Sequence, residues 1–267
     1  MNAVFKKILS TFYIIFIFFL VAGCTNKNNN SHNDLKEIII GSDEFLPYFS
    51  MKENGEFEGI DVSIAKNAFN RLGYQPIFKQ IDWSLKDEYL NNGEVECLWG
   101  SFSMNGRLDK YQWAGPYLKS RKVIVVRKDS QINKISDLTD KRIAVQITSK
   151  PDEIFSLNTL DLANLYTFED INLVFAALRK GYVDAIASHE IVILENLKYE
   201  TDDYKILDDV LIETSLGVAF SLNYPNKELI NKLNDILKQM NTDGTIEKIL
   251  TDYGINYENY KVGTQNE

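Results

Sequence analysis

The chain has 267 residues with 38 acidic and 29 basic side chains, so its formal net charge is −9. This acidic balance makes nucleic acid a poor partner. The chain has only two cysteines and two histidines, which disfavours a disulfide scaffold, a histidine-rich metal site and a nucleophilic Cys/His pair. The sequence therefore predicts neither a metal site nor a cofactor.

The first predicted element is a leader for export, residues 1–23. Lys6 and Lys7 precede an apolar run over residues 8–20, and the run ends in the letters LVAGC, whose last residue is Cys24. The run is short for a membrane span and typical of a secretory signal. Its ending resembles that of bacterial lipoproteins, in which the cysteine is lipidated after cleavage. The alternative is an uncleaved anchor helix, which would also hold the chain outside the cytosol.

Residues 24–35 are polar and nearly free of apolar side chains, and we expect a flexible tether there. Loss of the leader removes two lysines and no acid, so the mature chain is more acidic still. About 230 residues follow the tether, enough for two modest lobes.

Strand-like and helix-like segments alternate along the body, and this alternation predicts an α/β fold. Short apolar or β-branched runs predict strands at residues 37–41, 75–80, 95–99, 142–146 and 182–187. Apolar residues at helical spacing predict helices over residues 60–72, 85–90, 171–178, 226–240 and 245–253. Thr167 is the predicted N-cap of the third helix, and Cys97 is a predicted buried thiol. Two extended apolar segments, residues 120–128 and 216–221, are expected to cross between lobes.

Nine segments then point to one family. In chain order they are GSDEFLPY (41–48), GIDV (59–62), DW (82–83), GSFSMNGR (100–107), GPY (115–117), DL (137–138), VQ (145–146), GYVDA (181–185) and DGT (243–245). Together they resemble bacterial solute-binding protein family 3, the extracellular solute-binding proteins of polar amino acid ABC importers. The resemblance implies a periplasmic-binding-protein-like fold, with two α/β lobes joined by two hinge strands around a ligand cleft. Lobe 1 would comprise residues 36–120 and 219–262, and lobe 2 residues 121–218.

The implied function is capture of a small solute, an amino acid or an amino-acid-like compound, by closure of the lobes. The closed protein would deliver this ligand to an ABC transporter permease. No bond is made or broken, so the chain is expected not to be an enzyme. We expect a monomer, held at the extracytoplasmic face of the cell membrane as a lipoprotein through Cys24. The solute, the permease and whether the cell has one membrane or two stay open.

The resemblance also assigns residues to the cleft. Arg107 is the expected partner of a ligand carboxylate, because a guanidinium can hold it through two parallel bonds. The alternative is a surface arginine paired with Asp109. Phe45 and Trp83 match the two aromatic walls of the family, with core packing as the alternative. The remaining positions assigned to ligand binding are Gly100, Phe102, Gln146, Ser149, His189 and Glu190.

Two of these positions, and a third beside them, depart from the family pattern. Thr148, beside Ser149, replaces a usual glycine, and Phe102 stands where many relatives carry threonine. His189 occupies the position of the aspartate that binds the ligand ammonium, and Glu190 follows it. The sequence leaves open whether His189 or Glu190 takes over that role. The cleft should be less polar than in typical relatives, and its ligand need not be a standard α-amino acid.

Two other functions remain in view. A few members of this superfamily are dehydratases of cyclic acids such as prephenate or arogenate, and His189 with Glu190 could act as a general acid/base pair. The chain could also be a sensing module for a receptor. Asp43, Glu44 and Glu56 are interpreted as a solvated acidic rim.

Overall fold

A mixed eight-stranded sheet runs through the computed structural model, which describes residues 35–156 and 164–263. The strands are β1 (Lys36–Ser42), β2 (Ser50–Met51), β3 (Phe57–Glu58), β4 (Tyr74–Gln80), β5 (Cys97–Leu98), β6 (Gln112–Arg127), β7 (Arg142–Gln146), β8 (Asn164–Phe168), β9 (Ala185–His189) and β10 (Tyr204–Phe220). The helices are α1 (Ile60–Arg71), α2 (Lys86–Asn91), α3 (Lys150–Ser156), α4 (Ile171–Arg179), α5 (Glu190–Asn196), α6 (Lys227–Thr242) and α7 (Thr245–Asp252). The predicted signal peptide and all of the predicted tether except Leu35 lie outside the described residues.

The sheet has two parallel halves with an antiparallel ribbon between them. Its strand order is β4-β1-β5-β10-β6-β9-β7-β8. Strands β4, β1 and β5 are parallel to one another, as are β9, β7 and β8. Parallel strands require crossover connections, here supplied largely by helices, so each half is an α/β unit. The predicted two-lobe α/β fold is confirmed.

The ribbon consists of β6 and β10, which are 16 and 17 residues long and pair antiparallel along most of their length. The sequence predicted only the shorter segments 120–128 and 216–221, because apolar character is continuous only there. The pairing register shifts between Ile206 and Val210, between Val210 and Ile212, and between Leu216 and Val218. Such irregularities bend and twist a strand pair, so the ribbon is curved where it links the halves.

Several boundaries differ from the predictions. The N-cap of α4 is Asp170, whose carboxylate accepts the Leu173 amide at 3.0 Å. The prediction of Thr167 was wrong, because Thr167 pairs with Val145 inside β8. Strand β9 begins at Ala185 rather than at residue 182, since the preceding Asp184 binds the backbone and guanidinium of Arg142 instead. Strand β8 and the helices α3 and α5 were not predicted, being short segments with weak periodicity.

The core follows the predicted apolar spacing. Ile60, Ile64 and Ala68 of α1 are fully buried, as are Leu233 and Leu237 of α6. Burying each of these larger side chains is worth about 1.5–3 kcal/mol. In the described part of the chain the free thiol is that of Cys97, which is fully buried as predicted. Burial raises the pKa of this thiol well above its usual value. Within the two described ranges, no helix is both long and apolar enough to cross a membrane.

Candidate functional site

A cavity lies at the carboxyl ends of parallel strands from both halves of the sheet, the edge at which open α/β sheets bind ligands. Its lining residues are Asp43, Phe45, Trp83, Gly100, Ser101, Phe102, Ser103, Arg107, Gln146, Ser149, Lys150 and His189. The lining residues before residue 110 lie in the segments after β1, β4 and β5. The later ones lie at the last residue of β7 or β9 or in the segment after β7. Side chains nearly fill the space, leaving about 20 Å³, about the room that one water needs.

Arg107 is the central cation of the cavity. Its side chain is almost completely buried and lies over the ring of Phe102, with the guanidinium carbon 4.8 Å from the ring centroid. Nη1 donates to the Ser103 carbonyl and Nη2 to the Thr148 carbonyl, at 3.2 and 3.0 Å. The alternative of a surface arginine paired with Asp109 was wrong, because the guanidinium points inward.

Glu153 of α3 supplies a carboxylate to Arg107 from the other half of the sheet. Arg107 Nε donates to Glu153 Oε1 at 2.7 Å, and Nη2 also contacts this oxygen. Lys150 Nζ binds the second oxygen at 2.9 Å. Burial alone would raise the pKa of Glu153, but the charges and hydrogen bonds of Arg107 and Lys150 outweigh it and hold that pKa below its usual value. Arg107 and Lys150 thus form a carboxylate-binding site.

Two more bonds join the halves. Gln146 Nε2 donates to Asp43 Oδ2 at 2.5 Å, and Lys86 Nζ donates to Thr148 Oγ1 at 2.8 Å. Asp43 is buried rather than part of a solvated rim, and burial raises its pKa to about 7. Thr148 has φ of 56°, in the left-handed region that favours glycine, so the backbone keeps the conformation that suits the glycine of the family pattern although the residue is threonine.

His189 ends β9 and faces the cavity. Its Nδ1 lies 2.7 Å from Ser101 Oγ, 3.0 Å from Ser120 Oγ and 3.1 Å from Lys122 Nζ. The imidazole meets the ring of Phe45 edge-on, with centroids 5.2 Å apart. Burial, together with the charges of Lys122 and Arg107, lowers the pKa of His189 well below its usual value. The imidazole is therefore neutral at physiological pH.

Lys122 lies behind His189 and is fully buried. Its ammonium donates to Ser120 Oγ and Thr214 Oγ1, each at 3.0 Å, and these two residues face each other across the β6–β10 ribbon. Burial and the charges of Arg107 and Lys150 lower the pKa of Lys122 well below its usual value. Lys122 therefore connects the ribbon to the imidazole that lines the cavity.

Asp61, on α1, shapes the loop that carries Ser101. Its Oδ2 accepts the Ser101 amide at 2.5 Å and the Tyr117 hydroxyl at 3.0 Å. Ser101 has φ of 52°, which this bond helps to hold. Burial raises the pKa of Asp61 to about 7, against the two hydrogen bonds that lower it. Asp61 thus positions Ser101 for its contact with His189.

Eight of the nine predicted ligand-binding residues line this cavity: Phe45, Trp83, Gly100, Phe102, Arg107, Gln146, Ser149 and His189. Phe45 and Trp83 also belong to the apolar core clusters. Each ring therefore both faces the cavity and packs in the core, which the sequence had offered as alternatives. Ligand contact at these eight positions stays a prediction.

Glu190 is the predicted residue that does not line the cavity. Its carboxylate accepts from Arg121 Nη1 at 2.8 Å and from the Tyr260 hydroxyl at 2.9 Å. The partners of His189 are different residues, and no hydrogen bond joins the two side chains, so they do not form an acid/base pair. No group of three or more potential metal-ligating side chains occurs among the described residues.

Sequence reasoning missed the polar groups around the predicted set: Asp43, Lys86, Ser101, Ser103, Lys122, Lys150 and Glu153. One signal was available for Lys122. Strand residues two apart share a face, and Lys122 shares one with Ser120 and the apolar Ile124, whereas Lys119 and Arg121 do not. A lysine on a buried strand face needs polar partners, and that requirement marks a site.

The comparison with known families agrees with this geometry. The family model described as bacterial extracellular solute-binding proteins, family 3, matches residues 38–256. The chain belongs to this family. The protein is thus an extracellular solute-binding protein rather than an enzyme, and the prediction of its function class is confirmed.

Individual relatives of this family 3 protein are distant but cover most of its length. The arginine-binding extracellular protein ArtP of Bacillus subtilis is 27% identical, over 91% of this chain and 96% of the relative. The structure of Tv2483 bound to L-arginine is 28% identical with a TM-score of 0.75, covering 83% of this chain and 92% of that one. The ancestral amino acid-binding protein AncCDT-1, a precursor of cyclohexadienyl dehydratase, is 25% identical with a TM-score of 0.73, covering 81% and 95%.

Proposed function

We propose that this protein captures a small carboxylate-bearing solute, an amino acid or an amino-acid-like compound, between its two lobes. It then delivers the solute to the permease of an ABC importer. The description of the family as extracellular solute-binding proteins supports this role, and relatives such as ArtP are described as amino-acid-binding proteins. The shared chemistry of those ligands is a carboxylate, and the cavity contains a buried group suited to it.

The pairing of Arg107 with Glu153 is the observation that carries the proposal. A guanidinium that is almost completely buried already binds a carboxylate, with Lys150 on its second oxygen and the Phe102 ring beneath. Charge-assisted bonds of this kind are stronger than neutral ones, and a buried site screens them less than water does. A solute carboxylate that displaces Glu153 would take over the same donors.

Movement of the lobes is required for entry, because the free volume of about 20 Å³ admits no amino acid. The bonds between halves from Arg107, Lys86, Gln146 and His189 would break on opening and reform, in part with the ligand, on closing. We assign residues 36–120 and 219–262 to one lobe and residues 121–218 to the other. In this assignment the β6–β10 ribbon is the hinge.

Attachment of the protein to the membrane is the second part of the proposal. Cys24, at the end of the apolar run, is the site of lipidation, and residues 24–35 connect it to the folded body. The protein acts as a monomer at the extracytoplasmic face of the membrane. Labelling of the cells with a fatty acid should mark the wild-type protein and not the Cys24→Ser variant, and label retained by that variant would refute the assignment.

Ligand-induced thermal stabilisation tests the binding role, because a compound that binds the native state raises its melting temperature. The purified protein would be screened against amino acids, their derivatives, short peptides and cyclic acids. Each compound would be recovered afterwards, and we expect it to be chemically unchanged. Arg107→Ala should abolish the shift given by the best compound and keep the fold. Arg142→Ala removes an arginine paired with Asp184 outside the cavity and should keep the shift. An equal shift in the Arg107 variant would remove Arg107 from the site.

A further inference from the structure

At one end of the cavity the imidazole of His189 has hydroxyls and an amine as its partners, and no described carboxylate. Nδ1 of the imidazole lies within hydrogen-bond distance of two hydroxyls and of the Lys122 amine. Lys122 Nζ contacts two hydroxyl oxygens and Nδ1, which matches the three N–H donors of an ammonium. In this arrangement Nδ1 is the acceptor and the ring proton lies on Nε2. This nitrogen forms no hydrogen bond with any described residue, while His189 itself lines the cavity. The imidazole therefore has a free N–H to offer a ligand.

The acidic side chains near His189 have hydrogen-bond partners of their own. Asp61 accepts from Ser101 and Tyr117 through Oδ2, its Oδ1 is buried without a described partner, and the residue does not line the cavity. Glu190 accepts from Arg121 and Tyr260, and Asp43, which does line the cavity, accepts from Gln146. In the described ranges none of these carboxylates is hydrogen-bonded to His189. A ligand ammonium placed against the Nε2 proton of His189 would lose its hydration and meet a donor instead of a carboxylate, which is costly.

We propose that the solute is a carboxylate whose second polar group is a hydrogen-bond acceptor, such as an oxo, hydroxyl or second carboxylate group, in place of an ammonium. His189, oriented by Ser101 and Lys122, is the residue that selects it. The first carboxylate would bind Arg107 and Lys150, and the second group would accept the Nε2 proton of His189. This inference rests on the proposed function, since it concerns the ligand of the same cavity. An ammonium-bearing ligand is disfavoured because its N–H groups and that of His189 are all donors. This penalty contributes to selection as much as the bond formed with an acceptor group does.

Matched ligand pairs test the proposal directly. Each pair is an α-amino acid and its 2-oxo acid: glutamate with 2-oxoglutarate, leucine with 4-methyl-2-oxopentanoate, and phenylalanine with phenylpyruvate. Calorimetry on the purified protein should find a 2-oxo acid that binds at least about tenfold more tightly than its amino acid. Tighter binding of the amino acid in every pair that binds would overturn this inference and leave the proposed function intact. Binding of neither series would count against both.

Two substitutions at one position separate charge from size. His189→Asp brings an anion to this end of the cavity and should reverse the preference within a pair. His189→Asn offers a neutral side chain of similar size and should weaken binding without reversing the preference. If the Asp variant folds and keeps the wild-type preference, His189 does not select the ligand. Binding of an amino acid that is lost in Asp43→Asn would show instead that Asp43 holds an ammonium, and would overturn the proposal.

The position of the imidazole proton gives a test that needs no ligand. The chain contains two histidines, so ¹⁵N-histidine spectra of the purified protein are assignable by comparison with His189→Asn. We expect the His189 signals of a neutral ring protonated at Nε2. Signals of a ring protonated at Nδ1, or of an imidazolium at neutral pH, would contradict the arrangement on which the selection depends.

Discussion

Glu153 places its carboxylate on the guanidinium of Arg107, with Nε and Oε1 2.7 Å apart, although 46 residues separate them in the chain. The pair joins the two halves of the sheet at the cavity. Glu153 therefore occupies donors that the proposed ligand needs, and ligand and protein compete for them.

This competition predicts that Glu153→Gln increases affinity. The amide keeps the size of the side chain and removes the charge that holds Arg107, so a ligand carboxylate displaces it more easily. We expect about a tenfold lower dissociation constant for the best ligand, measured by calorimetry. Glu200→Gln removes the carboxylate paired with Arg179 in an exposed ion pair and serves as the control. An affinity that falls in the Glu153 variant would show that Glu153 assists binding.

The raised pKa of Asp61 predicts that the stability difference between wild type and Asp61→Asn depends on pH. In the folded chain this pKa is about 7, above the usual 3.8, so between these values the folded chain binds a proton that the unfolded chain has lost. The contribution of Asp61 is thus largest below pH 4 and decreases as pH rises to 7. Asp61→Asn cannot ionise, and its stability relative to wild type should rise by about 1.4 kcal/mol per pH unit within this window.

Denaturant unfolding at several pH values from 4 to 8 measures this difference. Asp129→Asn, at a side chain that is 84% exposed, is the matched control for replacing an aspartate by asparagine. A flat difference for the Asp61 variant would mean that Asp61 is ionised throughout.

Gly59, directly before α1, should not tolerate a side chain. Its φ is 135°, and a Cβ there would lie 2.1 Å from the Tyr48 carbonyl oxygen. Gly59→Ala should lower the free energy of unfolding by about 3 kcal/mol, because the backbone must move. Gly55 also has positive φ, 83°, but its Cβ would meet no atom within 4 Å. Gly55→Ala should cost only about 1 kcal/mol. Equal losses in thermal or denaturant unfolding would refute the steric argument.

The N-cap of α4 can be tested by a similar pair. Asp170→Ala removes the acceptor of the Leu173 amide and should cost about 1 kcal/mol of stability. Thr167→Ala changes an exposed strand residue and should cost less than about 0.5 kcal/mol. The reverse order would restore Thr167 as the cap.

The sequence predicted those parts of the fold that repeat a local pattern. The spacing of Ile60, Ile64 and Ala68 specifies a buried helix face, and the β-branched run in β1 specifies a strand. Strand β8 was not predicted, because its residues alternate little between apolar and polar and its pairing partner lies in β7. The length of the ribbon was underestimated for a related reason: pairing between β6 and β10 extends beyond the apolar residues.

The candidate site shows the same division. Ordered motifs led to Phe45, Arg107 and His189, which all line the cavity. The partners of these residues were not predictable, because Glu153 and Lys122 approach them from separate segments of the chain. Asp43 was interpreted as a surface acid, since nothing local shows that the amide of Gln146 covers it.

Lys122 has a mechanical consequence. One nitrogen atom contacts Ser120 and Thr214, one on each strand of the ribbon, and the imidazole that lines the cavity. Bending the ribbon at this point would displace Lys122 and with it the contact that helps to orient His189. The stiffness of the ribbon and the chemistry of the cavity are therefore not independent properties, and a substitution chosen to alter one will also change the other.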